Sequence, residues 1–131
     1  MSTDCVYKYQ SQEDKFYKIA FKVMENLKVQ VDLFKILNGD PTTLFYLSKE
    51  RAEFLLSESG FNGSLMTSGR IIEYIFHLCG DDSKCLSLAK SAVDYAFLES
   101  MRIFSSKMPF VSYESVSMVI DEINKQLLNK Y

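Results

Sequence analysis

Glycine and proline are the residues that interrupt regular backbone, and this chain carries five Gly and two Pro in 131 residues. A sheet protein needs frequent turns built on those residue types. So thin a supply argues for long helices and against a multi-stranded β fold. The segment 13–38 contains neither residue. Along it Phe16, Ile19, Ala20, Val23, Met24 and Leu27 recur at three- and four-residue steps, the spacing of one helical stripe. Leu27, Val31, Phe34 and Leu37 continue it, with Val29, Leu33 and Ile36 alongside. The segment reads as one long helix, or as two joined at a bend near Asn26. Its second half is apolar over more than half its circumference, which predicts burial or a place beside a groove.

Before it, residues 1–10 read as a strand-like arm or a first short helix. Ser11 followed by Gln12, Glu13 and Asp14 places acid in a first helical turn. Asn38-Gly39-Asp40-Pro41 is a stop signal. Thr42 and Thr43 can cap a next helix running through Leu44, Leu47, Phe54 and Leu55 to about Glu58. Ser57–Ser68, rich in Ser and Gly, reads as a loop. Ser68 then caps a helix over Gly69–Cys79 that is apolar on nearly every face, the pattern of a central, buried helix. Gly80-Asp81-Asp82-Ser83 ends it and caps an amphipathic helix carrying Cys85, Leu88, Ala89, Ala92, Val93, Ala96, Phe97 and Phe104. Pro109 breaks the chain. Ser112 is expected to cap a last helix with Val116, Val119, Ile120, Ile123 and Leu127 on one face. The sum is an all-α fold: a single globular helical bundle of six to seven helices around a central apolar helix, spanning residues 1–131 as one domain. There is no internal repeat, low-complexity tract or linker.

Composition narrows the function classes. The net charge is −2 with no basic stripe, so nucleic acid is not an expected partner. No apolar run reaches the roughly 18 residues that cross a bilayer, and no signal peptide opens the chain. The three cysteines, Cys5, Cys79 and Cys85, form no disulfide framework or zinc pattern. A soluble protein of a reducing, intracellular setting is the expectation.

Catalysis has no visible carrier. His77 is the sole histidine, set in the most apolar helix, so a nucleophile–His pair or a His-based metal site has little to work with. It reads as a core or groove-wall residue. Cys79 and Cys85 lie farther apart than a Cys-x-x-Cys redox pair and read as two buried structural thiols. Glu25, Glu50, Glu53 and Glu58 fall at solvent positions. There is no phosphate loop and no metal spacing, so no enzyme activity, cofactor or metal is expected. Arg70 stands apart. In the first turn of the predicted helix, a cation is opposed by the helix dipole, and the preceding Gly69 admits close backbone approach. Together they suggest a charge presented to a carboxylate at the rim of an apolar site, against the alternative of an ordinary surface arginine.

The stretch Thr67-Ser68-Gly69-Arg70-Ile71-Ile72-Glu73-Tyr74-Ile75-Phe76-His77-Leu78-Cys79-Gly80 resembles the first homology motif of the B-cell-lymphoma-2 (Bcl-2) family of apoptosis regulators. That motif reads Asn-Trp-Gly-Arg, then an apolar helix with a Gly-rich end. The Gly-Arg pair, the apolar helix and the closing glycine match, while Thr67 and Ser68 replace Asn and Trp. Val111-Ser112-Tyr113-Glu114 resembles the family's second motif with Tyr for Trp. Leu27-Lys28-Val29-Gln30-Val31-Asp32 has the Leu-to-Asp spacing of its BH3 segment, with Val31 in place of a small residue. The matches span roughly residues 27–120, and the stretch between Asp32 and Gly69 is several residues shorter than usual. Degenerate motifs and small size resemble a homologue from a large DNA virus.

The resemblance implies an inhibitor of apoptosis that sequesters pro-death host proteins by taking their amphipathic BH3 helix into a surface groove. Arg70 would pair with an acid of that helix, and Gly69 would let its backbone approach. Phe54, Leu55, Phe61, Ile72, Glu73, Phe76 and His77 would form the walls, with Glu73 narrowing the range of ligands. Such a protein would work in the host cytoplasm and reach the mitochondrial surface through its partners. Two rivals stand beside this expectation. One is a viral Bcl-2-like domain without groove binding that blocks innate immune signalling. The other is a structural helical protein whose apolar stripes form an oligomer interface, a homodimer being its simplest form.

Overall fold

The structure, a computed structural model, describes residues 3–40 and 47–129. Five helices follow in order: α1 (Thr3–Leu37), α2 (Lys49–Leu56), α3 (Ser64–Cys79), α4 (Ser83–Ile103) and α5 (Phe110–Leu128). The all-helical class is as the sequence predicts. The number is lower than six to seven: among the described residues there are five helices. Thr42, Thr43 and Leu44, expected to cap and open the second helix, lie outside the described residues.

Helix α1 runs unbroken for 35 residues, about 52 Å at 1.5 Å per residue. It does not start at Ser11, and it continues through Asn26 without interruption. The Asn26 amide instead donates to the Lys22 carbonyl at 2.9 Å, one turn back on the same helix. The helix stops where the sequence says. Gly39 takes φ +76°, and the Asp40 and Gly39 N–H groups return to the carbonyls of Lys35 and Ile36. This is the paired closure that only a left-handed residue permits cheaply.

The core lies along α1. Ile19, Val23, Leu27 and Val31 are buried on one stripe, and they meet Leu86, Ala89, Ala92, Val93 and Ala96 of α4. Three alanines on that face let the two helices approach closely. Helix α3 packs chiefly on α5, and α1 touches all four other helices. The central helix is therefore α1, not the Gly69–Cys79 segment. A smaller cluster of Leu33, Ile36 and Ala52 seats α2 on the last turns of α1, with Val29, Leu37, Leu47, Leu55 and Leu56 around it.

Three local readings change. Helix α3 begins at Ser64 with Gly63 as its N-cap, so the last five residues of the expected 57–68 loop are helical. Ser112 does not cap α5: Pro109 holds the N-cap position without a side-chain bond, and the Ser112 hydroxyl is buried and turned inward. Cys79 and Cys85 are not separate thiols. They form a disulfide that clips the end of α3 to the first turn of α4 across Gly80-Asp81-Asp82. The lack of a disulfide was the premise for a reducing compartment, and that premise does not hold.

Candidate functional site

Helix α3 has two faces. Ser64, Thr67, Ser68, Ile71, Ile75 and Cys79 are buried, at the three- and four-residue spacing that keeps side chains on one side of a helix. Leu65, Met66, Gly69, Glu73 and His77 are exposed and share the other side. Arg70 lies at one rim of the exposed face, while Ile72 and Phe76 are half-buried at the other and pack against the core. Of the predicted wall residues, Gly69, Glu73 and His77 thus stand together in solvent on α3. Phe54 and Phe61 are also exposed, on the end of α2 and on the connection that follows it. Leu55 turns inward onto the α2 cluster. His77 is not a core residue.

Starting α3 at Ser64 moves Arg70 to its second turn, where the dipole of the helix end no longer acts on it. A different constraint holds it. Its Nη1 donates to the Phe61 carbonyl at 2.6 Å, its Nε to the Asn26 side-chain oxygen at 3.2 Å and its Nη2 to Thr67 Oγ1 at 3.2 Å. The guanidinium also stacks on the Phe61 ring, 4.2 Å from its centroid, a favourable cation–π distance. Partial burial pulls its pKa below the ordinary arginine value, yet a guanidinium stays charged at any physiological pH. Among the described residues Arg70 pairs with no carboxylate. It fastens the 57–63 connection to α1 and α3 with three of its five N–H groups.

Behind Arg70 lies a polar network that the sequence does not announce. Gln30 is fully buried. Its amide nitrogen lies within 3.0–3.2 Å of the Asn62 carbonyl, Thr67 Oγ1 and Ser115 Oγ, and its oxygen accepts from Ser112 at 2.8 Å. Thr67 Oγ1 accepts from both Arg70 and Gln30, so a chain of hydrogen bonds runs from the surface to the centre and ties α1, α3 and α5 together. One signal could have found Gln30: it is a polar residue at the phase of the core stripe, three after Leu27 and four before Phe34.

Two clefts open beside this arrangement. One, of about 350 Å³, is lined by Lys22, Arg70, Glu73, Tyr74 and His77, with the Lys22 ammonium 5.4 Å from the Tyr74 ring centroid. The other, of about 390 Å³, lies where the end of α2 meets the first turns of α3 and α5. Leu56, Leu65, Val111 and Met118 line it, together with Glu58 and Glu114. Leu65 and Met66 are exposed on α3, in a stretch whose Ser and Gly content points to loop rather than to a binding helix. Among the described residues no cluster of His, Cys, Asp and Glu is arranged to hold a metal, and no helix is long and apolar enough to cross a membrane. Compared with models of protein families, with curated proteins and with solved structures, the chain matches none.

Proposed function

We propose that this protein is a non-catalytic binding domain whose α2–α3 face takes up an amphipathic helix from another protein. The observation that carries the reading is four large apolar side chains exposed on α2, α3 and the connection between them: Phe54 is 57% exposed, Phe61 58%, Leu65 50% and Met66 47%. A partner helix that covered these side chains would remove their apolar surface from water. Methionine suits such a surface because its flexible thioether adapts to different partners. Gly69 has nothing within 4 Å of where a Cβ would stand, which leaves room for a second helix to lie close. Arg70 borders this surface with N–H groups to spare for an acid.

The likeness of residues 67–80 to the first Bcl-2 motif names the partner class in this proposal: the BH3 helix of a pro-apoptotic host protein, which the domain would sequester. Isothermal titration of the purified protein against a panel of BH3 peptides tests it. Submicromolar binding to any member is the expected result. Met66→Glu should weaken that binding at least about tenfold, the loss typical of an anchoring contact, with unchanged helical circular dichroism. Arg70→Glu is the poorer probe, because it would also release Phe61 and Asn26 from the fold. A folded protein that gives no heat across the panel would remove the sequestration mechanism and leave the signalling inhibitor without groove binding.

A second surface favours the oligomer reading. On α1 and α4, Tyr17, Phe21, Tyr95 and Leu98 are exposed. Phe16, Tyr17 and Tyr95 form a cluster with centroids 5.1–6.3 Å apart. Exposed aromatics on the 13–38 segment are the feature expected of a protein that assembles with itself.

A further inference from the structure

We infer that the cleft between α2, α3 and α5 receives a basic flank of the bound helix, with Glu58 and Glu114 pairing to lysine or arginine side chains of the partner. This rests on the helix-binding reading and adds the charge pattern and direction of the ligand. The cleft adjoins the exposed α3 face through Leu65, and its lining mixes apolar Leu56, Leu65, Val111 and Met118 with Ser64, Glu58 and Glu114. Its two ionisable residues are both acidic and both exposed. Glu58 and Glu114, like most acids among the described residues, have no lysine or arginine within ion-pair distance, so both carboxylates remain available to a partner.

The helix ends do not cancel this charge. The N-termini of α3 and α5 open at the cleft, at Ser64 and Val111, and neither has a side-chain cap. Each contributes about half a positive charge. Against two carboxylates, the cleft keeps roughly one net negative charge. At the other cleft the balance reverses, because Lys22 and Arg70 face the single acid Glu73. The binding face is therefore electrically polar, negative at the α2–α5 end and positive beside the middle of α3. A helix lying on it is oriented by its own charges: acid toward Arg70 and Lys22, base toward Glu58 and Glu114. Complementarity of this kind sets register and selects partners more than it adds affinity.

The test uses two synthetic amphipathic helical peptides with identical apolar anchors, one carrying two lysines and the other two glutamates on the flanking turn. Binding to the full chain is followed by fluorescence anisotropy. The wild type should prefer the lysine peptide about tenfold, as two partly exposed ion pairs allow. The Glu58→Lys, Glu114→Lys double variant should reverse that preference while its thermal unfolding stays close to wild type. Raising salt to about 0.5 M should shrink both preferences, since exposed charges are screened over a few ångströms there. Equal binding of the two peptides, or one preference shared by both protein forms, would overturn the inference and leave helix binding in place. If neither peptide bound either form, the helix-binding reading would fall and this inference with it.

Discussion

Gly69 separates the needs of folding from those of binding at a single residue. It sits inside α3 rather than at its end, has ordinary helical φ and is exposed. A glycine there costs about 0.5–1 kcal/mol of helix stability relative to alanine. Nothing stands within 4 Å of an added Cβ, so folding has no steric need for the glycine. Gly60 is the contrast: its Cβ would run into the carbonyls of Phe54 and Leu55, and the turn after α2 needs it. Gly69→Ala should therefore raise the free energy of unfolding by about 0.5–1 kcal/mol, seen as a higher denaturant midpoint, and weaken BH3-peptide binding in the same protein. Urea unfolding and peptide titration, run side by side, check the pair of outcomes. A variant that is stabilised and binds as well as wild type would show that no partner backbone comes close at this position. Arg70 shows the opposite allocation, since three hydrogen bonds and a ring commit most of its guanidinium to the fold.

Between helices, the disulfide is the feature with the clearest energetic signature. Cys79 and Cys85 join α3 to α4 over a separation of six residues. In the chain-entropy account so short a loop stabilises the folded state by about 2 kcal/mol. For a chain of this length that corresponds to about 7 °C in the unfolding midpoint. Unfolding monitored with and without dithiothreitol should show a fall of that order. A thiol reagent applied to denatured, unreduced protein should react with one cysteine of the three, and with all three after reduction. Equal midpoints and three reactive thiols before reduction would mean that the pair is not closed. Sequence spacing could not reveal the bond, because it depends on the angle at which α4 folds back on α3. The helices themselves were legible where period and punctuation agree. The stripe of α1, the Asn38-Gly39-Asp40 stop, the Asp82 cap accepting from Lys84 and the break at Pro109 all stand as read. Reading failed where residue type pointed the wrong way. Thr67, Ser68 and Ser112 look like caps or loop, yet they lie buried on α3 and α5. Thr67, Ser112 and Ser115 bond to Gln30 of α1, and only the packed bundle supplies those partners. For the candidate site, sequence placed Gly69, Arg70, Glu73 and His77 correctly on one helix. It missed Leu65 and Met66 and did not foresee that Arg70 would be held from within.

At the scale of the whole molecule, two exposed apolar surfaces require separate explanations. One follows α2 and α3; the other crosses α1 and α4 through Tyr17, Phe21, Tyr95 and Leu98. Phe21 is 71% exposed and Leu98 66%, apolar surface that a covering chain would remove from water. Tyr17 and Phe21 are one turn apart on α1, so a second chain can cover them as a continuous strip. Phe16 and Tyr95 already hold part of the Tyr17 ring in place, which lowers the ordering cost of burying it. A helix pair presenting this strip to its own copy would form a two-fold interface in which each Phe21 packs against the partner. Sedimentation velocity across a concentration series is then expected to show a monomer–dimer equilibrium. Phe21→Glu would place two like charges in the contact and shift the equilibrium to monomer, while peptide binding at the α2–α3 face stays at the wild-type level. Met66→Glu should do the reverse, weakening peptide binding and leaving the dimer intact. Such crossed results would establish two independent interfaces. If Phe21→Glu abolished peptide binding as well, the two surfaces would be one functional unit, with the partner helix recognised only by the assembled dimer. If wild type stayed monomeric at every concentration, the aromatic strip on α1 and α4 would belong to a different partner, and self-assembly would cease to compete with helix capture as an account of this fold.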